Sequence, residues 1–299
     1  MFTGTQRPEI LYKYLDEEGG IGLLTYRQHW LRCPLQFDDQ QDCQADRMVG
    51  FDLDEIRCVE REELVSFLTG PPTPLDRDSE MAQVMQQLRD RPGGWTREQA
   101  YEAADECSEL NKQQIMAMLD QIPGQLRDFL RSVRVLSLTD LPNNARMWRD
   151  YAADGSGICI GFRYVPDIDN IIRCAKPVDY FDAPPPIATP REWARHNLGL
   201  ETIPLDNRAG QTLYLKNRER YEYEQEWRIV TKSILLPDAD HEGLLRVPAE
   251  DREFAEIILG PNIAYEDAIK AGQSAARLRE CATVRTATWQ ADGTVLISK

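Results

Sequence analysis

A long helical stretch set between two blocks of short β-type segments limits this chain to an α+β layout. Ile10 to Leu15 alternates large residues as a strand does and is stopped by Gly19-Gly20; Trp30 to Cys33 ends at Pro34. The two pieces read as strand, short connector, strand, followed by a polar loop through Asp38-Asp39-Gln40-Gln41-Asp42. From about Leu53 to Leu130 the apolar period becomes helical. Leu64, Phe67 and Leu68 fall at i, i+3, i+4, Met81 to Leu88 forms a second stripe, and Gly70-Pro71-Pro72 and Pro92-Gly93-Gly94 separate them. Thr96 with Gln99 fits a capping box, and helices are expected from Thr96 to about Leu119 and from Gly124 to Arg131. From Val133 the β character returns in Val133–Leu138, Ile158–Phe162, Trp227–Thr231 and Glu256–Gly260, with further strands near Val284 and Val295. Short helices are expected at Ala145–Ala152 and Arg191–Leu198, and an amphipathic one from about Tyr265 to Leu278. The expected architecture is one α+β domain over residues 1–299, with a mixed or antiparallel sheet and a helical insertion at about 53–131.

Composition narrows the function classes. Fifty acidic residues against 35 basic ones give a formal charge of −15, which disfavours an open grip on duplex nucleic acid or an anionic membrane. Seven scattered cysteines include no C-x-x-C pair, and His29, His196 and His241 lie far apart, so neither a disulfide framework nor a structural zinc site is indicated. No metal is expected. The start lacks an apolar signal core and no apolar run approaches a membrane span of about 20 residues, so a cytoplasmic protein is expected.

The densest chemistry lies in Tyr221-Glu222-Tyr223-Glu224-Gln225-Glu226-Trp227-Arg228. If this segment is extended, Glu224 and Glu226 share a face, and two such carboxylates repel unless a cation pairs with them. They read either as a solvated face or as a rigid acid pair at the head of an apolar strand, flanked by rings suited to a flat ligand. Lys13, between Tyr12 and Tyr14, reads as an edge-strand lysine or as a cation facing a cleft. Ser156, in Gly155-Ser156-Gly157, is a turn residue or a hydrogen-bonding hydroxyl. Trp148 and Tyr151 share a helix face suited to core packing, and Cys159 reads as a small buried hydrophobe. There is no G-x-S-x-G, H-E-x-x-H, Walker or G-x-G-x-x-G motif.

Several segments in order, LYKY (Leu11 to Tyr14), LRCPLQFDDQQDC (Leu31 to Cys43), LSLTDLPNNARMWRDYA (Leu136 to Ala152), GICIGF (Gly157 to Phe162), YEYEQEWRIV (Tyr221 to Val230) and EIILG (Glu256 to Gly260), resemble the bacterial domain-of-unknown-function 2971 family. That family's F-N-D-P-F turn stands here as Phe37-Asp38-Asp39-Gln40-Gln41. An early strand with an aromatic–cation pair and a late strand led by E-x-E also resemble the ADP-ribosyltransferase superfamily. That second resemblance implies NAD as co-substrate, with Glu226 as catalytic carboxylate and Glu224 as the preceding acid. It also implies Lys13 or Tyr12 in the ribose-holding place of the first strand, and Ser156 as a middle-strand hydroxyl. Lys13 and Arg32 are candidates for the diphosphate, and Tyr12, Tyr14 or Tyr223 for stacking on nicotinamide. The implied activity is ADP-ribosyl transfer or NAD glycohydrolysis, in a bacterial toxin or anti-phage defence effector. The acceptor is expected to be a protein or small molecule rather than nucleic acid. Two other classes stay open: a metal-dependent nuclease using Glu224, Glu226 and Asp179, and a non-enzymatic antitoxin-like or sensor module that binds a protein partner through the helical insertion.

Overall fold

The computed structural model describes residues 7–37, 42–43, 49–50, 52–72, 75, 80–183, 185–232, 243–278 and 280–298. The expected turn at 38–41 and His241 lie outside them. The chain divides into two units, one built from residues 1–42, 131–184 and 214–299, the other from 43–130 and 185–213.

The first unit is an α+β structure around a mixed ten-stranded sheet. Its strands are β1 (Ile10–Leu15), β2 (Gln28–Arg32), β3 (Val133–Thr139), β4 (Ile158–Arg163) and β5 (Lys176–Pro177), while β6 (Asp179–Phe181) and β7 (Leu215–Asn217) form a separate parallel pair. The sheet is completed by β8 (Glu226–Lys232), β9 (Leu244–Pro248), β10 (Phe254–Leu259), β11 (Thr283–Trp289) and β12 (Val295–Ser298). The order runs β12-β11-β10-β4-β1-β3-β2-β9, with β8 and then β5 branching from β3. β10 and β11 are parallel, and the remaining pairings of this sheet are antiparallel.

The connector between β1 and β2 is a helix, α1 (Glu17–Tyr26), where the sequence suggested a glycine break. Asp16 caps it, its carboxylate accepting from the Gly19 N–H at 2.7 Å. Gly20 is there for contact with the sheet. A Cβ on Gly20 would stand 2.8 Å from the Ile158 Cβ, so a bare backbone is what lets the helix lie against β4. Leu23 and Leu24 of α1 join Leu11, Leu136, Leu138, Ile160, Trp227 and Ile257 in the main core. A smaller core gathers Tyr12, Tyr14, Cys159 and Ile258 with Met147 and Trp148 of α5 (Ala145–Tyr151).

The second unit is helical: α2 (Leu53–Thr69), α3 (Glu80–Arg89), α4 (Arg97–Ser132, whose last two residues belong to the sheet unit), α6 (Pro190–Asn197) and α7 (Leu205–Thr212). The expected break near residue 120 is absent, and α4 runs unbroken through Pro123. An interior proline costs about 3 kcal/mol. Here Ile115, Ile122, Leu126 and Leu130 are buried along one line on both sides of it and keep the two halves on a single axis. The inserted helices do not stand alone: α6 packs on α2, Leu198 and Leu200 share a core with Leu64, Phe67 and Ala100, and Arg195 binds Glu63 at 2.9 Å. No helix of the described residues is long and apolar enough to cross a membrane. In the sheet unit the chain also forms α8 (Arg218–Tyr221) and α9 (Tyr265–Ala275).

Candidate active site

The site follows from a fork in the sheet. β3 pairs with β8 along its whole length on one edge, from Val133–Lys232 to Thr139–Glu226. Its other edge is shared: β1 bridges it at Tyr12–Thr139 and β2 at Arg32–Val135. Between those bridges β1 and β2 diverge, and a cavity of about 810 Å³ lies there, a size ordinary for small-molecule sites. Lys13, just past the β1 bridge, and Arg32, at the β2 bridge, stand on its two arms, and Ser137 and Leu138 of β3 lie between them.

Pairing with β3 fixes the floor. Glu226 lies opposite Thr139 and Arg228 opposite Ser137, so the acid and the guanidinium project from one face two residues apart. Arg228 donates from Nε to Glu226 Oε1 at 2.8 Å and from NH2 to Oε2 at 3.1 Å, and its other side grips Asp42. Lys216, from β7, sits among three carboxylates: 2.7 Å from Glu224, 2.9 Å from Glu226 and 3.6 Å from Asp42. All five side chains are buried.

Glu224 is not on the strand. It ends a 3-10 turn at Glu222–Glu224, and Gln225 is left-handed (φ 45°) before β8 begins. Two side chains clasp this turn. The Thr139 hydroxyl donates to the Glu224 carbonyl at 2.5 Å, and Asn144, which also caps α5, donates from Nδ2 to the Tyr223 carbonyl at 2.6 Å. The kink brings Glu224 onto Lys216, and its other oxygen accepts from the Tyr151 hydroxyl at 2.5 Å. One ammonium therefore bridges both acids, supplying the cation that the sequence argument required.

The environments push the two acids apart. Burial drives both upward, but at Glu226 the Arg228 guanidinium and Lys216 ammonium overcome it and hold the carboxyl well below the usual range. At Glu224 burial wins: Lys216 opposes it, the Glu226 charge reinforces it, and the carboxyl is raised. Lys13 is also moved by burial, down to about 8, with Glu226 as the main opposing influence.

Lys13, Arg32, Glu224 and Glu226 thus line one cavity. Tyr12 and Tyr14 also border it, with most of each side chain buried. The Tyr12 hydroxyl donates to Glu256 at 2.9 Å, and Tyr14 donates to the Leu141 carbonyl while its ring meets Trp148 edge-on at 5.0 Å. Tyr223 is outside the lining. It donates to Asp150 at 3.1 Å, and its ring lies 3.8 Å below the Arg146 guanidinium. Ser156 is outside as well, because its turn folds back on itself. Its hydroxyl donates to the Ala153 carbonyl at 2.8 Å and to Glu17 at 3.1 Å, and a Cβ on neighbouring Gly157 would meet the Leu15 carbonyl at 2.0 Å. The hydroxyl that does reach Glu226 is Ser137.

Sequence reasoning missed Lys216, Asp42 and Tyr151. Arg228 was visible in the E-W-R run, and Tyr151 in the helix face it shares with Trp148. Nothing local marks Lys216 or Asp42, which arrive from distant segments. Asp179, the third acid of the nuclease reading, is exposed on β6 and outside the cavity lining. Among the described residues no group of three or more His, Cys, Asp or Glu is arranged to hold a metal ion. Comparison of the chain with protein-family models, curated proteins and solved structures gave no match.

Proposed function

We propose that the forked cavity binds NAD and that the protein breaks its nicotinamide–ribose bond, as an ADP-ribosyltransferase or NAD glycohydrolase. The observation that carries this reading is the acid pair on the cavity floor, two buried carboxylates joined by one ammonium and driven to opposite acidities. Such divergence assigns different roles to two like groups. Loss of nicotinamide leaves positive charge on the ribose, the oxocarbenium character also met in glycoside hydrolysis. Glu226, ionised and held at both oxygens by Arg228, is a fixed negative charge that needs no reorganisation as that cation develops. Glu224, with its raised affinity for a proton, suits the exchange with water or an acceptor hydroxyl or amine. Lys13 and Arg32 give the wall the positive charge a diphosphate requires in an otherwise acidic chain.

Both elements on which the ADP-ribosyltransferase resemblance rests, the Lys13 strand and the Glu226 strand, border this cavity. The metal-nuclease alternative is the weaker one, because Lys216 occupies the centre of the acid cluster where that reading needs a metal. The test is incubation of the full chain with NAD, following free nicotinamide by chromatography. Release by the wild type and a loss of about 10²-fold or more in Glu226→Gln is expected, the scale of removing one preorganised charge partner. Equal rates in the two proteins, or none in either, overturn the reading.

A further inference from the structure

Lys13 differs from its charged neighbours. Lys216 is held by Glu224 and Glu226, and Arg228 by Glu226 and Asp42, so the carboxylates of the floor are already engaged. Lys13 borders the same cavity and keeps part of its surface open, and its side chain forms no hydrogen bond or ion pair among the described residues. An amine partly enclosed by protein, bordering a cavity and without a hydrogen-bond partner of its own, is poorly placed to stabilise the fold and well placed to react. Enclosure by protein, with Arg32 and Lys216 nearby, favours its neutral form against the pull of Glu226, so that it titrates near 8. About a quarter of such amines are unprotonated at pH 7.5, against about one in a thousand for an ordinary lysine. Arg32, exposed at the β2 bridge and likewise with no side-chain hydrogen bond among the described residues, adds a fork of donors suited to phosphate.

We propose that Lys13 captures a phosphorylated aldehyde as an imine, with Arg32 holding the phosphate. The neutral Lys13 nitrogen attacks the carbonyl carbon, and a C–N bond forms as the C=O bond opens. The two amine hydrogens leave with the carbonyl oxygen as water, and the C=N bond remains. No oxidant, reductant or other reactant is required. The open-chain form of a ribose 5-phosphate carries both groups, and pyridoxal 5′-phosphate is a probe that also carries both. This capture uses the two residues that the NAD reading places at the diphosphate, but it needs no NAD cleavage, and its test does not measure nicotinamide release.

The experiment treats the full wild-type chain with pyridoxal 5′-phosphate at neutral pH, fixes imines with borohydride and maps the modified lysines by peptide mass. Lys13 is expected to react at least tenfold faster than any other lysine of the chain. Unphosphorylated pyridoxal is expected to label it at least tenfold more slowly, and Arg32→Ala to abolish that difference. Lys13→Arg, checked for unchanged thermal unfolding, should lose the fast adduct. Labelling of Lys13 no faster than that of the other lysines overturns the proposal, and this readout needs no variant to fold. Equal rates with the two aldehydes overturn it as well.

Discussion

Lys216→Met keeps the aliphatic stem of the bridging lysine and deletes its charge. In the wild type Asp42, Glu224 and Glu226 share Lys216 and Arg228 on the cavity floor; in the variant Asp42 and Glu226 keep Arg228, and Glu224 keeps the Tyr151 hydroxyl. Removing one partner from a buried charge cluster costs about 3–5 kcal/mol. For a folded unit of 150–250 residues each kcal/mol moves the midpoint by about 2–4 °C, so melting should fall by about 10 °C. The cost also depends on pH. Glu224 already binds its proton more tightly than a free glutamate, chiefly through burial, and the variant removes the ammonium that opposed this. A raised folded-state pKa gives stability that is complete below the unfolded value near 4.3 and is lost as pH rises through the folded value. The deficit should therefore be largest at alkaline pH and shrink as the pH falls toward about 4.3. Urea unfolding of both proteins across that range measures it. A deficit below about 1 kcal/mol at about pH 8, the scale of an exposed pair, refutes the reasoning. So does one that does not shrink in acid.

Three further outcomes can be checked. Gly20→Ala places a Cβ 2.8 Å from the Ile158 Cβ and should cost about 1–3 kcal/mol by denaturant unfolding, through forced separation of α1 from β4. Asn144→Ala removes both the α5 cap and the clasp on the Tyr223 carbonyl. It should cost about 1–2 kcal/mol and lower nicotinamide release, because the turn that presents Glu224 loosens. In the helical unit, burial pushes the Glu60 carboxyl up to about 7, against partial relief from Asn111 and Arg57. Its stabilising proton is fully bound below about 4.3 and lost as pH rises through about 7, a swing of about 4 kcal/mol. Glu60→Gln should flatten this fall in a urea series between about pH 5 and pH 8.

The strands were legible because their apolar runs are short and bounded; Ile158–Phe162 and the segment from Trp227 are found where the pattern places them. The failures share a cause, tertiary contact overriding a local signal. Glycines that read as a stop between β1 and β2 lie within α1, with Gly20 packed against β4, and the break expected between Leu119 and Gly124 is absent from α4. At the site, Glu224 and Glu226 were visible as a pair, but through an assumed strand. The kink at Gln225 brings Glu224 to the cluster instead, and its clasps come from Thr139 and Asn144. Lys216 and Asp42 were illegible for a simpler reason. A buried lysine among acids looks like any surface lysine until the fold assembles its neighbours. Tyr12, Tyr14 and Tyr223 show the converse: their rings suggested a stacking wall, and their hydroxyls are tied to Glu256, Leu141 and Asp150.

The most direct measurement is the separation of kcat from KM for nicotinamide release in Glu226→Gln, with cooperative melting of the variant confirmed first. A carboxylate that acts on the charge appearing at the ribose works in the transition state alone. The account predicts kcat reduced by about 10²-fold or more with KM little changed. A raised KM with kcat intact would make Glu226 a binding group and contradict the mechanism proposed for it.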